Sequence, residues 1–184
     1  MAFKRLVIDG YGQLELNNVA FRRDGRVEAQ CALDATDFAN TPAENGMVLA
    51  VDKQNKVVRF VNENEILPIA LNYTSEHMYD DRANALKDFK LTLEDNAQYF
   101  FPRVGYMSMG DSFTTNCIGY DSVAYESEEA FIQALEAIGT TPLYAKPSQV
   151  GAWEVTATAE GAYAKVIKKT TMPDGSLGVQ IQVL

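Results

Sequence analysis

The chain has 184 residues, 47% of them apolar and 22% charged, which is the balance of a folded domain and not of a disordered tail. Sixteen Lys and Arg against twenty-five Asp and Glu leave a net charge of -9, which argues against a general attraction to nucleic acid or to anionic lipid. The single histidine, His77, excludes a zinc site built on two or three histidines and forces every histidine-dependent mechanism through one position.

No run approaches the ~18 consecutive apolar residues of a membrane span, and the apolar part of Ala2 to Ile8 is too short for a signal-peptide core. The expectation is a protein made and folded in the cytoplasm, with no membrane partner. Cys31 and Cys117 match no close metal-binding or redox spacing. Two buried free thiols are the plainer reading, and a single disulfide is the other.

In chain order the predicted elements are mostly strands. Arg5 to Ile8 and Gln13 to Leu16 flank Asp9-Gly10-Tyr11-Gly12, where two glycines can reverse the chain, so the pair reads as a hairpin. Val19 to Arg22 follows as a short strand before the turn residues Arg23-Asp24-Gly25. The next segment alternates, with Val27, Ala29, Cys31 and Leu33 on one face and Glu28 and Gln30 on the other, the pattern of one half-buried strand. Met47 to Val51 is too apolar to face water on either side and reads as a central strand. Asp52 to Asn55 supplies a turn, and Lys56 to Val61 returns. Leu67 to Leu71 is a further strand, whose Pro68 favours an edge or a strand start because it lacks an amide proton.

Thr74 to Phe89 mixes Met78, Ala85, Leu86 and Phe89 with many acids and reads either as a short helix or as an ordered excursion. Arg103 to Met107 and Phe113 to Ile118 read as strands around the Ser108-Met109-Gly110-Asp111 turn. One helix is clear at 127–138. Ser127 caps it, Glu128 and Glu129 sit in the first turn, Phe131, Ile132, Leu135 and Ile138 share a face, and Gly139 offers a left-handed stop. Trp153 to Thr158, Ala162 to Thr170 and Leu177 to Leu184 are three more strands, the last two joined at Asp174-Gly175.

These elements predict a mainly β, β-rich α+β fold: a β-sandwich or barrel-like body with one helix near 127–138 and an irregular middle insertion. Residues 1–184 read as a single β-rich domain, with a soft boundary near 80–95 between two packed β halves. No solenoid repeat and no Gly/Ser or Pro-rich linker interrupts it.

Catalytic chemistry finds little footing in these residues. A cysteine hydrolase has to combine Cys31 or Cys117 with His77, and no spacing selects that set. A serine triad also needs His77, and there is no Gly-x-Ser-x-Gly elbow. His77 with Asp80 and Asp81 is a weak metal pattern, the Asp52 to Asn55 loop lacks the EF-hand order, and Gly10-Tyr11-Gly12 lacks the spacing of a phosphate loop. The expectation is therefore no enzyme, no metal and no cofactor. The basic groups Arg22, Arg23, Arg26 and Lys165, Lys168, Lys169 lack interleaved stacking aromatics and suit a protein contact or an exposed strand face better than nucleic acid. Tyr99, Phe100, Phe101, Arg103 and Tyr106 concentrate residue types enriched at interfaces, with core packing as the competing reading. Together with Arg22, Arg23 and Arg26 they form the candidate contact set.

Four segments carry a resemblance: Phe21-Arg22-Arg23-Asp24-Gly25-Arg26-Val27-Glu28-Ala29-Gln30, then Pro42-Ala43-Glu44-Asn45-Gly46-Met47-Val48-Leu49-Ala50-Val51-Asp52, then Leu67-Pro68-Ile69-Ala70-Leu71-Asn72-Tyr73, and finally Thr171-Met172-Pro173-Asp174-Gly175-Ser176-Leu177-Gly178-Val179. In this order they resemble structural proteins from tailed-bacteriophage virion gene clusters, most of all small capsid decoration proteins. The resemblance implies a virion protein on the capsid surface, made in the host cytoplasm. It also implies that the chain binds the major capsid protein and copies of itself and stabilises the shell. It carries no catalytic signature. The long segment Thr74 to Asn96 and the helix after Ser127 depart from the smallest decoration proteins, which keeps a tail or neck component in contention. A carbohydrate-binding β domain is the third reading and requires a concave site built on Trp153 or the tyrosines with acids.

Overall fold

The computed structural model describes residues 3–8, 10–74 and 90–184. Strands account for 39% of the chain and helices for 11%, so the fold is mainly β, as the strand-rich pattern predicts. The possible helix between Thr74 and Phe89, with His77, Asp80 and Asp81, falls almost wholly outside the described residues.

The larger sheet has eight strands. In spatial order they are β1 (Phe3–Arg5), β12 (Ile118–Asp121), β14 (Trp153–Thr156), β13 (Leu143–Pro147), β15 (Ala164–Thr171), β16 (Leu177–Val183), β11 (Ser112–Thr115) and β2 (Leu14–Asn18). Only Asn116 and Cys117 separate β11 from β12, a reach of at most about 11 Å. Laid flat, the five strand spacings between them would span about 24 Å. The sheet therefore curls back on itself, and the chain passing through Asn116 and Cys117 joins its two sides.

The six-stranded sheet obeys the same arithmetic. Its order is β3 (Val27–Glu28), β10 (Val104–Tyr106), β8 (Ile69–Asn72), β6 (Val48–Asp52), β7 (Val57–Phe60) and β4 (Ala32–Leu33). Its outer strands β3 and β4 are consecutive in the chain, and the four steps from Glu28 to Ala32 reach about 15 Å against about 24 Å for a flat sheet. A small ladder of β5 (Ala43–Glu44) with β9 (Lys90–Leu91) lies beside it.

Two predicted elements are corrected by this curling. The expected hairpin around Asp9 to Gly12 does not form: β1 runs antiparallel to β12 and β2 antiparallel to β11, so the two strands pair in turn with the 112–121 segment and not with each other. The ladder of β11 and β12 offers both segments a partner that a four-residue turn cannot better. The continuous strand expected from Val27 to Leu33 is likewise two short strands on opposite margins of the smaller sheet. Between them the Glu28 carboxylate accepts from the Ala29 and Gln30 amides and turns the chain, which leaves Ala29 exposed. Cys31 is buried, as its apolar neighbours foretell.

Val19 to Arg22 is not a strand. Ala20–Asp24 forms helix α1, whose first amide is held by the Asp111 carboxylate at 2.7 Å and whose end is set by Gly25 in the left-handed region. Phe21 lies on Gly105, where a Cβ would stand 2.3 Å from its ring. The helix α3 (Glu128–Glu136) starts as predicted, with Ser127 Oγ accepting from the Ala130 amide. It ends earlier than predicted, however. Ala137 closes it through bonds to Gln133 and Ala134, and Gly139 has no left-handed conformation. Strand β13, between Gly139 and Trp153, had no sequence forecast.

The core has two parts. Strand β6 supplies both, with Val48 and Ala50 facing the larger sheet and Met47, Leu49 and Val51 next to it in sequence facing the interior of the smaller one. This is the central strand predicted from Met47 to Val51. Phe113, Ile118, Trp153, Val155, Val166, Val179 and Ile181 from the larger sheet complete the first part, closed by Phe131 and Leu135 of α3. Pro68 sits just before β8, an internal strand, so it marks a strand start and not an edge.

Candidate interaction surfaces

The described residues place their polar chemistry in two contrasting settings, one buried and one exposed. At the junction of the two sheets lies a buried polar seam. The Arg5 guanidinium grips Glu44 with both terminal nitrogens, one of them donating to Oε1 at 3.1 Å, and the Gly12 amide donates to Glu44 Oε2 at 2.6 Å. Gly12 must lack a side chain, because a Cβ there would lie 2.5 Å from the Asn45 carbonyl oxygen. Around the pair, Asn72 Nδ2 donates to the Glu44 carbonyl at 2.8 Å, the Gln13 amide to Asn116 Oδ1 at 2.6 Å, and Trp153 Nε1 to the Gly46 carbonyl at 3.1 Å.

Cys117 is buried beside this seam. Desolvation pushes its thiol up to about 12, far from the range in which a thiolate nucleophile forms at neutral pH. Burial also raises the Cys31 thiol, and both cysteines are free. Trp153 is fully buried, so it cannot act as the exposed platform that a glycan site on Trp153 requires. Among the described residues no group of three or more His, Cys, Asp or Glu side chains is arranged to hold a metal ion.

The candidate contact residues fall into three groups. Arg22 and Arg23 project from α1, and Arg26 follows it with its guanidinium on Ser108 Oγ at 2.6 Å and near Asp24 at 3.4 Å. Asp111 builds this end of the molecule. Its carboxylate accepts from the Ala20 and Ser108 amides, while Gly110 and Asp111 exchange backbone bonds with Val183. Met109, at the tip of the same turn, is 84% exposed.

Tyr106 and Arg103 belong to β10 or its start and are half-buried. Tyr106 packs on the interior of the smaller sheet under the Lys53 ammonium, 5.5 Å from its ring centroid. The Arg103 backbone bonds Tyr73 and Thr74.

Tyr99, Phe100 and Phe101 stand apart at the end of helix α2 (Leu93–Ala97). Thr92 and Asp95 form a reciprocal capping box at its start, and Asn96 Oδ1 accepts from the Leu33 amide at 2.6 Å, which docks the helix on β4. At its end the Tyr99 amide donates to the Asn96 carbonyl and the Phe100 amide to the Asp95 carbonyl. This is the paired closure of a Schellman motif, whose left-handed residue is usually glycine. Here it is Tyr99, at φ 67° and 84% exposed, with Phe100 next to it at 51%. Phe101 is half-buried and meets the Tyr99 ring edge-on, centroids 6.5 Å apart.

A groove of about 410 Å³ opens at the opposite end of the larger sheet from Met109. Leu6, Val7, Ile132 and Leu177 line its apolar part, and Glu128 and Asp174 its acidic part. Sequence inspection missed it because its walls come from the β1 end, α3 and the β15–β16 turn. One signal was available: from residue 104 to 145 there is no Lys or Arg, but Asp111, Asp121, Glu126, Glu128, Glu129 and Glu136 occur, of which Glu128 lines the groove.

Comparison with protein-family models, with curated proteins and with solved structures finds no match.

Proposed function

We propose that this chain is a non-enzymatic structural protein of a tailed-phage virion, which decorates the capsid by docking on the lattice of the major capsid protein. The reading rests on the order of the four resembling segments and on one structural observation, the Tyr99–Phe100 corner. A bulky residue in the left-handed region costs about 1 kcal/mol or more relative to glycine. Among the described residues little repays that cost: Tyr99 is 84% exposed, and the ring pair it makes there is an edge-on contact with Phe101.

A solvent-facing aromatic pair on a fixed backbone suits the anchor of a protein interface. Aromatic side chains bring large apolar area, and a backbone held before contact loses little entropy on binding. The hydrogen bonds of the Schellman closure fix the backbone from which both rings project. A protein that binds the assembled lattice and not its free subunits stabilises the shell by mass action.

The test is mass spectrometry and electron microscopy of virions from the lysate in which this chain is made. The reading predicts the chain in many copies over the head surface and heads that lose heat resistance when it is deleted. Copies confined to the tail or neck, or absence from the particles, overturn it.

A further inference from the structure

We infer that copies of this chain associate head to tail, the Arg22–Arg23–Met109 end of one seating in the groove between β1, α3 and the β15–β16 turn of the next. The two surfaces lie at opposite ends of strand β16. Its start, Leu177, lines the groove, and its end, Val183, is bonded to Gly110 and Asp111 beside Met109. Seven residues of strand separate them by about 20 Å. They cannot meet within one molecule, but they can meet between two.

Shape and charge match. One end presents an 84% exposed Met109 in the turn that Asp111 ties to the start of α1, and α1 carries the exposed Arg22 and Arg23, neither of which makes an ion pair among the described residues. Asp24 is tied to Arg26, and Lys165 at the start of β15 adds a cation where the β14–β15 loop adds Glu160. The other end presents a groove with Val7, 85% exposed, and Leu6, Ile132 and Leu177 on its walls. Glu128 and Asp174 line it, and Glu126 and Glu129 are exposed beside Glu128. An unbranched thioether side chain adapts to the apolar part of an irregular groove, beside its acidic part. The flanking arginines would face carboxylates, which fixes the direction of approach and rejects the reversed pairing. An interface between two different faces closes into a ring or extends as a filament, and never stops at a two-fold dimer. The inference does not depend on whether the partner assembly is a phage capsid.

The test uses the full chain with two sets of surface variants, followed by sedimentation and light scattering over a concentration series at low and high salt. The unmodified chain self-associates, less so in high salt. Arg22→Glu with Arg23→Glu on one end, or Glu128→Lys on the other, lowers the association constant by about 100-fold. Val7→Lys serves as a second groove variant, since that side chain is exposed and carries no packing. Mixing the arginine variant with a groove variant leaves one intact interface of matching ends, so the mixture regains at least one-to-one dimers, and larger species if the exchanged charges also pair. A monomeric unmodified chain at every concentration overturns the inference. So does association untouched by these substitutions, or a mixture of the two variants that stays monomeric.

Discussion

The seam around Glu44 and the corner at Tyr99 both break the rule for their setting, one by burying charge and the other by exposing an aromatic in a strained backbone. At the seam the chain itself supplies most of the compensation, leaving Arg5 Nε, Gln13 Oε1 and Asn45 Oδ1 buried without a hydrogen-bond partner among the described residues. Glu44 has the Arg5 guanidinium and the Gly12 amide, and its neighbours Asn72, Thr74, Thr115 and Asn116 hydrogen-bond one another, the backbone or Ser176. At the corner the backbone is satisfied, but Tyr99 stays mostly exposed and Phe100 about half exposed. A departure repaid within the chain belongs to folding, and one left unpaid is where a partner is expected. The contrast is open to attack from both sides.

The largest effect should come from the seam. Glu44→Leu leaves the Arg5 guanidinium, only about a quarter exposed, without its partner and should lower unfolding free energy in urea by about 3 kcal/mol. A loss below about 1 kcal/mol would mean that the seam is incidental to the fold. Gly105→Ala drives a Cβ into the Phe21 ring and should cost about 1 to 3 kcal/mol, read in the same titration.

Alkaline pH probes the seam through Cys117. Its thiol is raised in the folded chain, from an ordinary 9.0 to about 12, so the folded state keeps a proton that the unfolded chain releases. The stability tied to that proton is complete below pH 9 and is lost as pH rises, by about 1.4 kcal/mol per pH unit up to the folded value. Cys117→Ala should remove that slope while the buried tyrosines keep theirs. Identical pH profiles for the two proteins would contradict the burial of this thiol.

How much of this was legible in the sequence follows from the range of the interactions. The Met47 to Val51 run, the Ser127 cap and the Asp174-Gly175 turn depend on neighbours a few residues away, and each stands where its residues place it. The failures are long-range. Nothing near Gln13 announces that its strand pairs with residues a hundred positions on, and nothing near Glu28 and Ala32 shows that the intervening residues bridge two margins of a curled sheet. Helix α1 is a further case, since its N-terminal amide is capped by Asp111 from a distant turn. Among the contact residues, composition singled out Tyr99 and Phe100 but gave no sign that Tyr99 occupies the left-handed position of a helix end.

The smallest stability change has the most diagnostic sign. Tyr99→Gly relieves the left-handed strain and should raise stability by about 1 kcal/mol, a gain in Tm, although it deletes a large side chain. A lower Tm would show that the ring is packed after all. The strained corner is read as kept for a partner. The most direct measurement of that role is the copy number of Tyr99→Gly with Phe100→Ser in virions assembled in place of the unmodified chain, counted by quantitative mass spectrometry. The unmodified chain should be present in many copies and the variant, at least as stable, nearly absent from the particles. Equal incorporation of the two would contradict that role.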